Sequence, residues 1–267
     1  MSEAAPSTAG AVEAGKLVIQ SATVSECIAD TAKQKHVREL LAAGHFPVFK
    51  GFAKAEEFKA VMRHLHQVMM GSFEDPVPIR EGARNYMKLS FSDARAPIPV
   101  WVVSWTFFSW NRDLFSMYRR YGDVFRLRNL MDGWPAEMCI SRHVDNAFAA
   151  RLAVYFYPAG KGYLATHIDP DGYPYSSTAT LVMNKRGRDF KTGGFYVLRG
   201  KEKDFIEDEL EPGDLYFCNP KVPHGVETID AGSEYDPMGS AGRWNMVFPA
   251  SEIQSDGQIH RRDRAVS

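Results

Sequence analysis

Residues 151–169 read RLAVYFYPAGKGYLATHID. The first half alternates. Leu152, Val154 and Phe156 fall on one side of an extended chain, and Ala153, Tyr155 and Tyr157 on the other, the period-two pattern of a strand packed on both faces. Pro158-Ala159-Gly160 supplies turn chemistry. His167-Ile168-Asp169 closes the segment with an imidazole and a carboxylate two residues apart. In an extended chain that spacing aims both side chains from one face. Downstream, residues 177–184, 194–198, 214–218 and 244–248 are short and rich in β-branched and aromatic residues, with Asp171-Gly172 and Pro212-Gly213-Asp214 as turn signals between them. Many short strands at regular spacing predict a sandwich or barrel, here an antiparallel β-core over about 138–250.

Upstream the texture is mixed. Residues 31–43 read as a helix closed by Gly44, and Phe46, Val48 and Phe49 as a short strand. Residues 55–70 form a second helix, with Phe58, Val61, Met62, Leu65 and Met69 on one stripe, ended by Pro76 and Pro78. A third helical stretch covers 112–131, interrupted near Gly122. Residues 1–16, rich in Ala, Ser, Gly and Pro, read as a mobile leader, and they lack the basic and apolar regions of a signal peptide. The expectation is an α+β, mainly β, single domain over 17–267, with helices buttressing one face of the β-core.

Composition narrows the function classes. Lys and Arg number 32 against 33 Asp and Glu, a net charge of −1, which gives no global pull towards nucleic acid or an anionic membrane. The cluster His260, Arg261, Arg262 and Arg264 reads as a solvated tail. The most apolar stretch, 98–110, is broken by Pro99, Ser104, Thr106 and Ser109, so no membrane-spanning helix is expected. Cys27, Cys139 and Cys218 are odd in number and far apart, as in a reduced cytoplasmic protein; the latter two read as buried strand residues. No Gly-x-Ser-x-Gly, Gly-x-Gly-x-x-Gly or phosphate loop is present.

Eight histidines occur. His64 and His66 lie two apart on a helix and point in divergent directions, so they cannot share a metal. His36 and His45 flank a helix end. His167 and Asp169 share a strand face, and His224 follows 55 positions after Asp169 in the strand-end context Val222-Pro223-His224-Gly225-Val226. Two histidines and one carboxylate on one face of a metal leave three positions open, the facial arrangement of non-haem Fe(II). A second copy, His143-Val144-Asp145, competes. The order of elements between His167 and His224 favours His167 and Asp169, leaving His143 and Asp145 as structural or pocket-lining groups. Arg243 lies 19 positions after His224 on a strand whose inner face it shares with Asn245 and Val247. A buried cation needs a partner. A dicarboxylate held by a bidentate fork satisfies it, with Asn245 donating to the same group; an internal Arg–Glu pair is the competing reading.

The segment 151–248 resembles the catalytic core of the Fe(II)/2-oxoglutarate-dependent dioxygenases. The matching pieces are Tyr155-Phe156-Tyr157-Pro158-Ala159-Gly160, His167-Ile168-Asp169, Thr180-Leu181-Val182-Met183-Asn184, Gly193-Gly194-Phe195, Pro212-Gly213-Asp214-Leu215, His224 and Arg243, and the helix-to-strand passage over 40–48 fits more loosely. The resemblance implies a double-stranded β-helix (jelly-roll) core. It implies iron held by His167, Asp169 and His224, and Arg243 clamping the distal carboxylate of 2-oxoglutarate. It also implies cosubstrate contacts from Tyr155 and Thr180, for which core packing and sheet surface are the alternatives. Relatives often carry serine where Asn245 stands, and the spacer 230–242 before Arg243 implies an extra loop. Fe(II), 2-oxoglutarate and O₂ would then oxidise a C–H bond of a small metabolite such as an amino acid or derivative. Relatives that halogenate lack the carboxylate, so Asp169 points to hydroxylation, with desaturation or ring closure as other outcomes. Arg84, Asn85, Tyr86, Trp105, Arg142, His143, Asp145 and Asn146 are candidate substrate contacts or, alternatively, surface and packing residues. Two other readings are a cupin-like metal dioxygenase without 2-oxoglutarate and a non-catalytic β-barrel binding module.

Overall fold

The computed structural model describes residues 14–71, 80–91, 98–140, 148–169 and 177–253. The leader up to residue 13, Pro76 and Pro78, Arg142 to Asn146 with the His143-Asp145 pair, Asp171-Gly172 and the basic tail lie outside the described residues. In chain order the elements are β1 (Leu17–Ile19), α1 (Val24–Ala29), α2 (Thr31–Ala42), β2 (Phe46–Phe49), α3 (Glu56–Gly71), β3 (Tyr86–Phe91), β4 (Val100–Phe108), α4 (Met117–Met131), β5 (Phe148–Pro158), β6 (Tyr163–His167), β7 (Thr178–Val182), β8 (Gly194–Arg199), β9 (Glu202–Asp204), a 3-10 turn (Ile206–Glu209), β10 (Leu215–Cys218), β11 (His224–Glu227), β12 (Gly242–Val247) and β13 (Ala250–Glu252).

Hydrogen bonding joins the strands in the order β1-β2-β10-β7-β12-β5-β4-β6-β11-β8-β9, with β13 on β5 and β3 on β4. The sheet turns its corner at β4. Val103 to Phe108 pair with β5, while Val100 and Trp101 pair with β6. The result is the jelly roll that the resemblance implies. Period-two alternation sorts its side chains into two cores. Leu152, Val154 and Phe156 of β5, Leu215 and Phe217 of β10, and Trp244 and Met246 of β12 pack outwards against Val37, Leu41, Phe58, Leu65 and Phe125 of the helices. Tyr157, Tyr216, Val182, Phe195, Val197 and Val226 point into the barrel.

Several expectations need correction. The β-core begins far before residue 138, because β1 to β4 join the same sheet. The run 100–108 carries no clean alternation since both its faces are buried, Val103, Trp105 and Phe107 towards the helices and Val102 towards the barrel. The core is not wholly antiparallel: β1 runs parallel to β2, Leu17 opposite Phe46. The third helix starts at Met117 and passes unbroken through Gly122. One interior glycine costs about 1 kcal/mol, which burial of Met117, Tyr121, Val124, Phe125 and Leu127 outweighs. Helix α1 is too short for a periodic signal, and a reciprocal capping box between Thr23 and Glu26 marks its start. Cys139 lies in a turn at φ 63°, not in a strand. Cys27, Cys139 and Cys218 are all free and buried. Among the described residues no helix is long and apolar enough to cross a membrane.

Pro212-Gly213-Asp214 ties the barrel to β2. Gly213 sits at φ +101° with Ala53 O where a Cβ would have to go. The buried Asp214 carboxylate accepts from Gly51 N (2.8 Å), Glu211 N (2.7 Å) and the Lys50 ammonium. Asp214→Ala strands these donors and should cost about 2–3 kcal/mol, read as a lower urea midpoint at unchanged slope.

Candidate metal centre

Strands β6 and β11 pair antiparallel with His224 directly opposite His167, and the two imidazole centroids stand 4.3 Å apart. Each ring is oriented by its own backbone two residues upstream. His167 Nδ1 lies 3.0 Å from Ala165 O, and His224 Nδ1 lies 2.8 Å from Val222 O. A carbonyl only accepts, so Nδ1 carries the proton in both neutral rings and Nε2 presents a lone pair. This is the outer-shell arrangement that fixes a metal-binding tautomer. Burial, then the neighbouring His167, lowers the pKa of His224, favouring its neutral, ligating form.

Asp169 completes the group by a different route from the one expected. β6 ends at His167, so Asp169 shares no strand face with it. The chain is held instead by the turn before β11: Asp169 N–H donates to Pro220 O (3.1 Å), and Lys221 Nζ donates to Asp169 O (3.0 Å). The carboxylate returns to 3.4 Å from His167 Nε2. One donor atom from each of His167, Asp169 and His224 lies within 4.8 Å of the others. Two imidazoles and one partly exposed carboxylate converging beside a cavity fit a divalent first-row metal.

That cavity measures about 310 Å³ and is lined by Asp169, His224, Tyr155, Thr180, Arg243 and Asn245 among others, so six of the seven residues assigned from sequence to metal and cosubstrate face it, whereas the candidate substrate contacts Asn85, Tyr86 and Trp105 line a separate cavity. The seventh, His167, belongs to the metal group. Phe195 joins the two ends: its ring lies 5.8 Å from that of His224 and 6.0 Å from Arg243 Cζ. Tyr216, hydrogen-bonded to Thr180, and Tyr157, whose ring faces Arg243 at 5.4 Å, complete the polar end. Burial raises both phenols well above their usual range, so they remain neutral hydrogen-bonding groups. Cys218 also lines the cavity; burial pushes its thiol up to about 12, and Thr178 Oγ1 lies 2.7 Å from its sulfur, leaving it an inert wall.

Arg243 has a partner inside the chain. Its Nε donates to Glu207 Oε1 and Oε2 at 2.8 and 2.9 Å, its Nη2 lies 2.7 Å from Oε1, and its Nη1 donates to Asn245 Oδ1 at 2.7 Å. Burial works against the charged guanidinium, but the Glu207 charge and hydrogen bonds outweigh it and raise its pKa. The internal Arg–Glu pair left open by the sequence is therefore present. Sequence reading missed Glu207 because it stands in the acidic run Ile206-Glu207-Asp208-Glu209, which reads as surface. Tyr157 and Tyr216 were legible in principle, through the period-two face shared with Tyr155 and the alternation of 215–217. The spacer 230–242 is an irregular loop, as expected; it covers the β5–β6 turn, with Ser233 O and Tyr235 against Gly160.

No family profile matches the chain, and no curated protein matches it in sequence. Solved structures do. A prolyl-4-hydroxylase from Pseudomonas putida is similar at 14% identity and a TM-score of 0.50, covering 83% of this chain and all of its own. A prolyl hydroxylase from Trichoplax adhaerens, solved with a hypoxia-inducible-factor peptide fragment, is similar at 14% identity and 0.50, covering 92% of this chain and 98% of its own. At that identity the likeness establishes the fold alone, a jelly-roll core.

His224→Ala should weaken Fe(II) binding by more than about 100-fold, beyond the range for loss of an outer-shell partner. Metal analysis after gel filtration, with circular dichroism to confirm folding, checks it.

Proposed function

We propose that the protein is an Fe(II)- and 2-oxoglutarate-dependent dioxygenase that hydroxylates an unactivated C–H bond of a small metabolite such as an amino acid or derivative, in a reduced cytoplasmic setting. The observation that carries this reading is one cavity walled both by Asp169 and His224 of a two-histidine, one-carboxylate group and by a buried arginine. Iron held by His167, Asp169 and His224, together with 2-oxoglutarate and O₂, would supply the oxidising chemistry, with succinate and CO₂ as coproducts.

The chain's own residues bind, orient and exclude water. Ala165 O and Val222 O accept at Nδ1 of each ring, so that in the neutral tautomer Nε2 is the nitrogen left to ligate. Arg243 receives the distal carboxylate of 2-oxoglutarate. Asn245, whose Oδ1 is taken by Arg243, has its amide N–H₂ left to donate to the same group. Tyr155 and Thr180 line the same cosubstrate end, and Tyr157 and Tyr216 join them. Val100, Val102, Leu164, Phe195 and Val226 give the cavity apolar walls, which strengthen its few polar contacts by excluding water. The Glu207–Arg243 pair is the one observation favouring a metal dioxygenase without 2-oxoglutarate, since Arg243 is already compensated. A metabolite panel assayed for substrate-dependent succinate formation separates the two readings: turnover without succinate sinks the first.

Two outcomes follow. Arg243→Met, made with Glu207→Gln so that no buried carboxylate is stranded, should weaken 2-oxoglutarate binding by about 2–5 kcal/mol while Fe(II) binding survives, both read by titration calorimetry. Wild-type turnover in excess chloride under ¹⁸O₂ should give a labelled, unchlorinated product by mass spectrometry, because Asp169 fills the ligand position a halide needs. An unlabelled product two hydrogens lighter would indicate desaturation or cyclisation.

A further inference from the structure

Glu207 is built into the cosubstrate end of the cavity rather than resting beside it. It lies on the 3-10 turn between β9 and β10, in an acidic stretch whose neighbour Asp208 pairs with Arg186 nearer the surface. Glu207 alone of that turn's acids turns inwards, with its side chain 6% exposed. Its carboxylate accepts from Phe195 N (2.9 Å) as well as from Arg243. Room for it comes from Gly194: at φ +111°, a Cβ there would stand 2.8 Å from Glu207 Oε2.

The arginine is thereby gripped by one edge. A guanidinium carries five N–H bonds. Nε–H donates to Glu207, whose Oε1 also stands 2.7 Å from Nη2, and Nη1 donates to Asn245. Each terminal nitrogen carries two N–H bonds, so the edge between them, away from Nε, can offer a second fork to a carboxylate. We propose that Glu207 is a positioning residue for the cosubstrate: it holds Arg243 by one edge so that the second fork serves a distal carboxylate, and its charge, set against that of the arginine, weakens the cosubstrate's hold. This rests on the 2-oxoglutarate reading above. The carboxylate and guanidinium form a neutral pair in the free protein. An incoming distal carboxylate is attracted by Arg243 and repelled by Glu207. Without the Glu207 charge, the free protein carries a stranded buried cation, and cosubstrate binding relieves it.

The test compares wild type, Glu207→Gln and Glu207→Asp, each loaded with Mn(II) so that no turnover occurs. 2-Oxoglutarate affinity is measured by titration calorimetry and melting temperature with and without 2-oxoglutarate. Glu207→Gln should melt lower when free yet bind 2-oxoglutarate about tenfold more tightly or better, given the size of Coulomb terms between partly buried charges, with a larger melting shift on binding. Glu207→Asp, which keeps the charge, should not gain affinity. A merely structural Glu207 predicts lower stability with unchanged or weaker affinity in Glu207→Gln, and that result overturns the proposal. No 2-oxoglutarate binding by wild type overturns the oxygenase reading itself. If Glu207→Gln is recovered only as aggregate, expression lysates are supplemented with 2-oxoglutarate or with its distal amide. Soluble protein with the acid alone supports the proposal, and none with either refutes it.

Discussion

The register between β6 and β11 is the constraint on which the rest of the site depends. His224 faces His167 because the two strands pair at those residues, and side chains alternate with a period of two. A slip of one residue would send one imidazole to the opposite face of the sheet. The backbone carbonyls that orient the rings, Ala165 O and Val222 O, each lie two residues before their own histidine, so each segment sets its tautomer while register sets the position. The turn from Asn219 to Pro223 then does double duty. It starts β11 at His224 and holds the backbone of Asp169, which no strand supports.

The polar end of the cavity obeys a different logic. A guanidinium buried to 2% exposure is tolerable only with compensation, and Glu207 supplies it at the expense of burying a second charge. The grip is reinforced from every side: Phe195 N–H below the carboxylate, the missing side chain at Gly194, Tyr157 and Phe195 around the guanidinium. Such a cluster has fixed geometry before anything binds, which lowers the ordering cost of binding.

Much of this was legible in the sequence, and the failures have physical causes. Alternation in 152–157 gave both faces of β5, and the inward set Arg243, Asn245 and Val247 lines the cavity as the period demanded. Donor chemistry and spacing brought His167, Asp169 and His224 together as the structure does, although the strand assumed to carry Asp169 ends at His167. The run 100–108 stayed unassigned because a strand packed on both faces shows no period, and it proved to be the corner on which the sheet turns. Glu207 was invisible because its pairing with Arg243 spans 36 residues and crosses from an irregular turn to a strand; no local pattern encodes such a contact. Identity of 14% to proteins of the same fold reflects the same division: binary pattern and turn chemistry specify architecture, and many sequences satisfy them.

The place of β12 has a consequence for how the chain acquires its structure. β12 is nearly the last strand in sequence, yet it sits between β7 and β5 in the middle of the sheet. Until residue 247 is available, the facing edges of β5 and β7 have no partner, and Phe156 lacks the Trp244 ring that stacks on it at 4.4 Å. A chain emerging from its N-terminus must therefore carry two unpaired strand edges and an open apolar face from the completion of β7 at Val182 until Val247. The pairings that close the barrel are long-range, a topology that folds slowly. Assembly of the barrel thus ends with insertion of one strand, the same strand that brings Arg243 to the cavity.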